Sequence, residues 1–257
     1  MDVPEITLTC TTGRRLKCFK KTMRSFLDRC LDKDRVIRYI VSDDGSSDDD
    51  FEEMRRYYPF IEFYRSPKRG QAASLNFLFS KVETEWFFHL EDDWRFVGQG
   101  NFLQMLFDVA ATDFMIKNIL MTKWEPLSAG CLKKTESGIG YVIHKFDPTV
   151  PKEVAETTDS SWFGWSLNPG LQNKPVLDEL GPFDEAVTPM SRLWDKEQAK
   201  LFRKLGYKRA SLYPERGQLI RHLRVYSLYD INRSECRAKR RCSNYPECEG
   251  CRVPQND

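Results

Sequence analysis

Hydrophobic and polar residues alternate along the first hundred residues with two different periods. Apolar and β-branched residues dominate positions 5–11 and 36–41, which predicts two strands, and positions 61–64 form a shorter run of the same kind. Apolar residues recur at helical spacing over positions 16–30, which predicts an amphipathic helix between the first two strands. The aromatic run at 86–90 is typical of a buried strand. This alternation of strands and helices predicts an α/β fold with an open sheet.

The second half of the chain has a less regular pattern. We expect helices at 102–110, 176–180 and 194–205, strands at 119–122 and 207–213, and a hairpin over 133–145. Residues 159–170 combine aromatic side chains with loop-forming residues. Trp162 and Trp165 in this stretch could stack against sugar rings, or they could form a hydrophobic cluster beneath a loop.

Polar residues gather directly after three of the predicted strands. Residues 11–14 follow the first strand, residues 42–48 follow the second, and Glu91, Asp92 and Asp93 follow the aromatic strand. In an open α/β sheet, ligands bind beyond the carboxyl ends of the strands. The three polar loops are therefore predicted to converge on one cleft.

The three adjacent acids after the aromatic strand need a counter-charge. Carboxylates this close repel one another and raise each other's pKa unless a cation lies beside them. A divalent metal that carries a polyphosphate is a natural partner, because hard oxygen ligands suit Mg²⁺ or Mn²⁺. An isolated acidic turn is more often simply solvated, but the convergence of three polar loops favours a site.

A basic stretch precedes a predicted helix of small residues. Lys68, Arg69 and Gly70 open this helix, which continues over residues 71–79. Free backbone N–H groups at a helix N-terminus, with basic side chains nearby, favour an anion such as a diphosphate. The signal is weak when taken alone.

Composition indicates a folded globular protein. The chain has 257 residues, 40% hydrophobic and 13% aromatic, which is enough for one sizeable core. The net charge of +2 gives no argument for a nucleic-acid partner or a membrane surface. No apolar run approaches the length of a transmembrane segment, and residues 1–5 lack signal-peptide character, so we expect a cytoplasmic protein.

Four cysteines crowd the end of the chain, at Cys236, Cys242, Cys248 and Cys251. The last pair has the spacing of zinc ligands, whereas the first three do not match a common zinc finger. Four thiols in so short a segment can hold one Zn²⁺, form two disulfides or stay free. In a reducing cytosol we favour structural zinc.

The order of the motifs resembles the GT-A glycosyltransferases, most closely the inverting, family-2-like group. Thr11 to Arg14 is similar to the first-strand nucleotide loop of the family, and Asp43-Asp44-Gly45-Ser46-Ser47-Asp48 is similar to its "DDGSxD". Residues 70–76 resemble its "GxxxALN" helix start, and Glu91-Asp92-Asp93 stands at its DxD metal motif, with Glu in place of the first Asp. Further motifs resemble "GGFDE" at 181–185 and "ED…GY" at 194–207, the latter with Trp in place of Glu.

The resemblance implies a role for particular residues. Asp93 and His222 would bind Mn²⁺ or Mg²⁺, and Asp195 would be the catalytic base, with Glu197 as the reserve candidate. Trp162 and Trp165 would contact the acceptor. The residues that would line the donor nucleotide or diphosphate are Thr11, Arg14, Asp43, Asp44, Arg69, Glu91 and Asp92.

The resemblance also implies an architecture: a mixed, mostly parallel, Rossmann-like central sheet flanked by helices. We expect a GT-A domain over residues 1–228, with a nucleotide-binding half (1–100) and an acceptor half (101–228). A short Cys-rich tail would follow at 229–257.

The implied reaction is metal-dependent transfer of a hexose or pentose from a nucleoside-diphosphate sugar, most simply a UDP-sugar. The acceptor would be a hydroxyl of a glycan or glycoconjugate, and the anomeric configuration would invert. Two alternatives stay open: a sugar nucleotidyltransferase and a catalytically inactive GT-A-like binding domain.

Overall fold

The computed structural model describes residues 4–66, 70–122, 132–144, 164–186, 194–214 and 218–223, and only the backbone of residues 194–196. The strands are β1 (Ile6–Thr12), β2 (Val36–Asp43), β3 (Glu62–Arg65), β4 (Trp86–Glu91), β5 (Trp94–Phe96), β6 (Ile116–Leu120), β7 (Leu132–Lys134), β8 (Gly140–Ile143), β9 (Gly170–Asn173), β10 (Lys208–Leu212) and β11 (Ile220–His222). The helices are α1 (Leu16–Arg29), α2 (Asp48–Tyr57), α3 (Gln71–Ser80), α4 (Phe102–Ala110), α5 (Lys174–Leu180) and α6 (Trp194–Lys204), with a 3₁₀ turn at Lys33–Arg35.

Nine strands form one mixed sheet in the order β3-β2-β1-β4-β9-β6-β10-β8-β7. The pairs β3–β2, β2–β1, β1–β4 and β6–β10 are parallel, whereas β9 and β8 run antiparallel to their neighbours. The expected mostly parallel central sheet flanked by helices is thereby confirmed. The hairpin expected over 133–145 is confirmed as well, since β7 and β8 pair with each other.

Helices cover both faces of the sheet, because the central strands are apolar on both sides. In β4, Phe88 and Leu90 pack into the core beneath α1, α2 and α4, while Phe87 packs into the core beneath α3, α5 and α6. A strand buried on both faces reads as a continuous apolar run rather than an alternating one. The aromatic run at 86–90 is therefore explained by burial on two sides.

Strand β9 was not predicted by the sequence pattern. It lies between β4 and β6 and pairs antiparallel with both, although its four residues include no β-branched side chain. Gly170 makes the close approach possible: a β-carbon there would lie 2.1 Å from the carbonyl oxygen of Ile119. The first and second halves of the chain are thus joined through a strand of low intrinsic propensity.

A separate two-stranded ribbon follows the acidic turn. Strand β5 pairs antiparallel with β11, and in this register Trp94 lies opposite His222. The backbone N–H of Leu223 also donates to the carbonyl oxygen of Asp93 at 2.6 Å. This ribbon brings the C-terminal histidine back to the end of β4.

Several predicted positions lie outside the described residues. These are Arg69, Trp162 and the four cysteines of the tail, Cys236, Cys242, Cys248 and Cys251. Among the helices that are described, none combines the length and the hydropathy needed to cross a membrane.

Substitution of Gly170 tests the junction between the two halves. We expect Gly170→Ala to lower the free energy of unfolding by about 1–3 kcal/mol, since the added methyl group must displace the backbone of β6. Urea unfolding measures the change. The matched control is Gly100→Ala, where an added β-carbon meets nothing closer than 3.7 Å. Equal midpoints for the two variants would contradict this account of the junction.

Candidate active site

The carboxyl ends of β1, β2 and β4 meet at one edge of the sheet. In the strand register, Thr11 lies opposite Glu91 on β4, and Thr12 lies opposite Asp43 on β2. The three polar loops predicted to converge therefore do so. Gly70, at the start of α3, joins the same edge, because its N–H donates to both carboxylate oxygens of Asp44 at 3.2 and 3.1 Å. We call this edge of the sheet, with its three loops and the start of α3, the cleft.

The middle acid of the turn, Asp92, points into the protein and has no exposed surface. Its carboxylate accepts a hydrogen bond from Thr12 Oγ1 at 2.7 Å and forms an ion pair with Arg15 Nη2 at 2.5 Å. The Thr22 hydroxyl donates to its backbone oxygen at 2.8 Å. Burial raises the pKa of Asp92 to about 7, and the Arg15 charge and the Thr12 hydrogen bond oppose this effect. Asp92 therefore anchors the acidic turn to the protein interior through Thr12, Arg15 and Thr22.

The last acid, Asp93, forms an ion pair with a histidine and an arginine. Its Oδ2 accepts a hydrogen bond from Arg15 Nη1 at 3.0 Å and lies 3.4 Å from His222 Nε2. Burial would raise the pKa of Asp93, but the interactions with His222 and Arg15 outweigh it and lower that pKa. The hydrogen bond to Asp93 raises the pKa of His222 in turn. Asp93 is therefore the acid of the turn whose pKa the neighbouring His222 and Arg15 lower.

The donor atoms at this turn fit a divalent cation in part. Asp93 Oδ1 is buried and has no hydrogen-bond partner among the described residues, so one carboxylate oxygen remains for a ligand. Carboxylate oxygen and imidazole nitrogen both suit Mn²⁺. In the described part of the chain, no group of three His, Cys, Asp or Glu side chains forms a complete metal site. A cation held by Asp93 and His222 would need further ligands from the substrate, as Mg²⁺ commonly does at phosphate sites.

The first acid, Glu91, is held from two sides. Gln71 Nε2 of α3 lies 3.4 Å from its Oε1, and Trp94 Nε1 of β5 lies 3.3 Å from its Oε2. Burial, followed by the charge of Asp93, raises the pKa of Glu91 to about 7. The Trp94 ring also meets the His222 ring edge to face at a centroid distance of 4.9 Å. Trp94 thus orients two of the predicted site residues together.

The loop after β2 holds its two acids differently. Asp43 is 1% exposed, and its oxygens accept hydrogen bonds from Ser46 N at 3.0 Å and from Ser46 Oγ at 2.5 Å, with Arg65 Nη1 at 3.4 Å. Asp44 is partly exposed beside Gly70. Asp43 therefore shapes the loop, and Asp44 offers its carboxylate to the cleft.

Arg14 and Thr11 lie on the rim. Arg14 adopts a left-handed backbone conformation with φ of 57°, and its exposed side chain donates from Nε to Gly45 O at 3.0 Å. Its own N–H donates to Ser46 Oγ at 2.8 Å. The β1 and β2 loops are locked together by these bonds. Thr11 is partly buried at the end of β1, opposite Ser42 and Glu91.

The turn at residues 181–186 is clamped between two helices. Asn76 of α3 accepts from Phe183 N at 2.9 Å and donates from Nδ2 to Phe183 O at 2.9 Å, and it also reaches Glu185 Oε1 at 3.1 Å. Gln198 of α6 donates to Gly181 O at 3.3 Å and to Pro182 O at 3.0 Å. The clamp fixes α6, the helix that contains Asp195, against the helix that starts at the cleft.

The two predicted base candidates both lie at the start of α6. The backbone of Asp195 is in its first turn, and its side chain is outside the described residues. Glu197 is exposed and bonded to Lys200 at 2.7 Å on the same helix. Their roles stay predictions.

Trp165 is a core residue in this structure. It is 2% exposed, its ring packs against Phe183 at a centroid distance of 5.4 Å, and its Nε1 donates to Gln172 Oε1 at 2.6 Å. Of the two interpretations of the aromatic stretch, this position favours the hydrophobic cluster for Trp165. The acceptor role predicted for it has no support from its position.

Sequence reasoning missed three residues that organise the site: Arg15, Trp94 and Asn76. The first-loop motif ends at Arg14, but the arginine that contacts the acidic turn is the next residue, Arg15. Asn76 was noted only as part of a helix start. No local signal identifies their partners, because Arg15 and Asp92 are separated by 77 positions in the chain, and Asn76 and Phe183 by 107.

The fold and the cleft define a GT-A architecture. S. aureus TarS is similar in fold, with a TM-score of 0.52 and 13% sequence identity over 83% of this chain and 36% of that chain. The mannosyltransferase PcManGT from Pyrobaculum calidifontis, in complex with GDP-Man and Mn²⁺, has a TM-score of 0.52 and 14% identity over 85% of this chain and 59% of that chain. GalNAc-T7 with UDP, GalNAc and Mn²⁺ has a TM-score of 0.53 and 14% identity over 82% of this chain and 43% of that chain. The chain thus spans between about a third and three fifths of the length of these proteins.

Residues 9–113 match the family model described as glycosyl transferase family 2. This range includes β1, β2 and the acidic turn, so the expected resemblance to family-2-like GT-A glycosyltransferases is confirmed. Among curated proteins, none matches the chain at a significant level. The family match covers residues 9–113, and the solved structures share the fold over most of the described chain.

The clamp at Asn76 yields a stability prediction. We expect Asn76→Ala to lower the free energy of unfolding by about 1–3 kcal/mol, because the N–H and C=O of Phe183 lose their hydrogen bonds to the Asn76 side chain. Urea unfolding of the purified chain measures this. Ser80→Ala is the control on the same helix, since its exposed hydroxyl bonds to Phe77 O within the helix itself. The clamp would be disproved by an Asn76→Ala variant that unfolds at the same midpoint as Ser80→Ala.

Proposed function

We propose that the protein is a metal-dependent glycosyltransferase that moves a sugar from a nucleoside-diphosphate sugar to an acceptor hydroxyl, with inversion. The observation that carries this proposal is the placement of Asp93 just after β4. Its Oδ2 lies 3.4 Å from His222 Nε2, and its buried Oδ1 has no hydrogen-bond partner among the described residues. That turn falls within the range matched by the family model.

Asp93 and His222 are the residues that would hold Mn²⁺ or Mg²⁺ at the donor diphosphate. When bound, the cation would neutralise the charge that develops on the leaving diphosphate. Asp44 and Gly70 border the same cleft, and Asp44 would accept a hydrogen bond from the nucleobase or ribose. UDP is the preferred nucleotide, in keeping with the UDP named for GalNAc-T7, and GDP, as named for PcManGT, is the alternative.

Inversion requires a base on the face of the sugar opposite the diphosphate. The acceptor oxygen forms a bond to the anomeric carbon, the bond from that carbon to the diphosphate oxygen breaks, and the acceptor proton passes to a carboxylate. We assign this carboxylate to Asp195. Its helix is fixed to the cleft helix through Gln198, the turn at 181–186 and Asn76. The transferred sugar would be a hexose or a pentose, and the acceptor would be a hydroxyl of a glycan or glycoconjugate.

Metal-dependent nucleotide binding tests the donor site. We expect UDP at about 100 times its Kd to raise the unfolding midpoint by about 5–10 °C with Mn²⁺ and far less with EDTA. Asp93→Asn should lose the Mn²⁺-dependent part, because a neutral amide replaces the anionic carboxylate. Asp28→Asn, an exposed member of an ion pair on α1, is the control.

A full shift in Asp93→Asn would remove the metal assignment. A shift with GDP instead of UDP would keep the transferase and change the donor. If no nucleoside diphosphate shifts the wild-type protein, the inactive-domain alternative is favoured.

The base assignment has its own test. We expect Asp195→Asn to bind UDP with Mn²⁺ as the wild type does, while the rate of sugar transfer falls by about 10²- to 10⁴-fold. Calorimetric titration measures binding, and release of UDP from a UDP-sugar in the presence of acceptor measures transfer. An active Asp195→Asn together with an inactive Glu197→Gln would give the base role to Glu197.

A further inference from the structure

Arg15 is a half-buried arginine that none of the sequence motifs assigned to the site. It directly precedes α1, and 23% of its side chain is exposed. Its neighbour Arg14 extends along the exposed β2 loop toward Gly45. Arg15 instead turns inward to the acidic turn after β4, so two consecutive arginines contact two different loops of the cleft.

The guanidinium of Arg15 bridges two consecutive carboxylates. Nη2 lies 2.5 Å from Asp92 Oδ1, and Nη1 lies 3.0 Å from Asp93 Oδ2. Nη1 donates a hydrogen bond to Asp93 Oδ2, whereas the contact of Nη2 with Asp92 Oδ1 is an ion pair without hydrogen-bond geometry. Because the two Nη atoms are held in one planar fork, that ion pair limits where the Nη1 donor can lie. Asp92 is itself fixed by Thr12 Oγ1, at 2.7 Å. Because Asp92 holds Arg15 in place, Arg15 in turn restricts the orientation of the Asp93 carboxylate.

This bridge decides which oxygen of Asp93 stays available. Oδ2 is occupied by Arg15 and lies beside His222, while Oδ1 is buried without a hydrogen-bond partner among the residues described. The positive charge of Arg15 also balances the charge of Asp92, which has no exposed surface. Of the two carboxylates that Arg15 contacts, Asp93 is then the one whose charge is left for a cation from outside.

We propose that Arg15 is a positioning residue for the metal–diphosphate site, which holds Asp93 so that its Oδ1 faces the cation. The inference rests on the proposed function and deepens it. Arg15 then has two separate tasks. It neutralises Asp92, a task that disappears when both residues are replaced by neutral ones, and it orients Asp93 through Nη1, which a side chain with a single nitrogen cannot do at the same time.

Removing Arg15 alone would leave Asp92 buried without a counter-charge, which is strongly destabilising. The test therefore compares Asp92→Asn, in which Arg15 still holds Asp93, with the double variant Arg15→Gln/Asp92→Asn, in which position 92 leaves no buried charge without its counter-charge. Arg15→Lys is a third variant, which keeps the positive charge but has a single nitrogen in place of the fork. Arg24→Gln, on the exposed side of α1, is the control.

The affinity for Mn²⁺ is measured by calorimetric titration in the presence of saturating UDP, and the affinity for UDP is measured separately with EDTA. We expect the double variant to bind Mn²⁺ about 10- to 100-fold more weakly than Asp92→Asn, since the loss of a group that orients a metal ligand has an effect of this size. Arg15→Lys should weaken Mn²⁺ binding in the same direction. UDP binding in EDTA should stay within about twofold across the series, and this split separates positioning from a general loss of structure.

Two results would overturn the inference. If the double variant and Arg15→Lys both bind Mn²⁺ as tightly as Asp92→Asn does, Arg15 only neutralises Asp92. A parallel loss of metal-free UDP binding would assign Arg15 a general structural role. These results leave the proposed function intact, whereas a wild-type protein that binds no nucleoside diphosphate with Mn²⁺ would overturn the function and this inference together.

Discussion

The cleft depends on one ion pair inside the protein, between Arg15 and the buried carboxylate of Asp92. A carboxylate without exposed surface is costly to keep charged, and the pKa of Asp92 is raised to about 7, with burial as the largest cause. Arg15, the Thr12 hydroxyl and the nearby backbone make the charged form tolerable. Because these groups come from β1 and the start of α1, the acidic turn after β4 is bound to the first loop of the chain.

The three consecutive acids make different contacts and therefore have different roles. Asp92 faces inward and anchors the turn, Glu91 is held between Gln71 and Trp94, and Asp93 keeps one oxygen without a partner in the described structure. The repulsion expected among three neighbouring carboxylates is thus reduced in two ways: the side chains point in different directions, and Arg15 and His222 lie beside Asp92 and Asp93. The remaining capacity for an external cation is concentrated on Asp93 and His222.

A second constraint joins the two halves of the chain. Strand β9 is inserted antiparallel between β4 and β6, and Gly170 allows the backbone of β6 to approach. Asn76 and Gln198 then clamp the turn at 181–186 between α3 and α6. The helix of the proposed base is therefore placed relative to the acidic turn by buried polar bonds and a close backbone contact. A reaction that needs groups on opposite sides of a sugar depends on this kind of rigid spacing.

The sequence alone determined the α/β class, most strand and helix positions, and the convergence of polar loops after β1, β2 and β4. These features follow from local periodicity and from the rule that the carboxyl ends of parallel strands share one edge. The tertiary structure alone decided that Arg15 rather than Arg14 meets the acidic turn, that Asp43 is committed to its own loop, that Trp165 is buried, and that residues 170–173 form a strand. The positions of Arg15 and β9 depend on partners tens of residues away, Asp92 and β4, while Asp43 and Trp165 also bond to nearer residues, Ser46 and Gln172. The direction of a side chain toward its partner leaves no periodic signal in the chain.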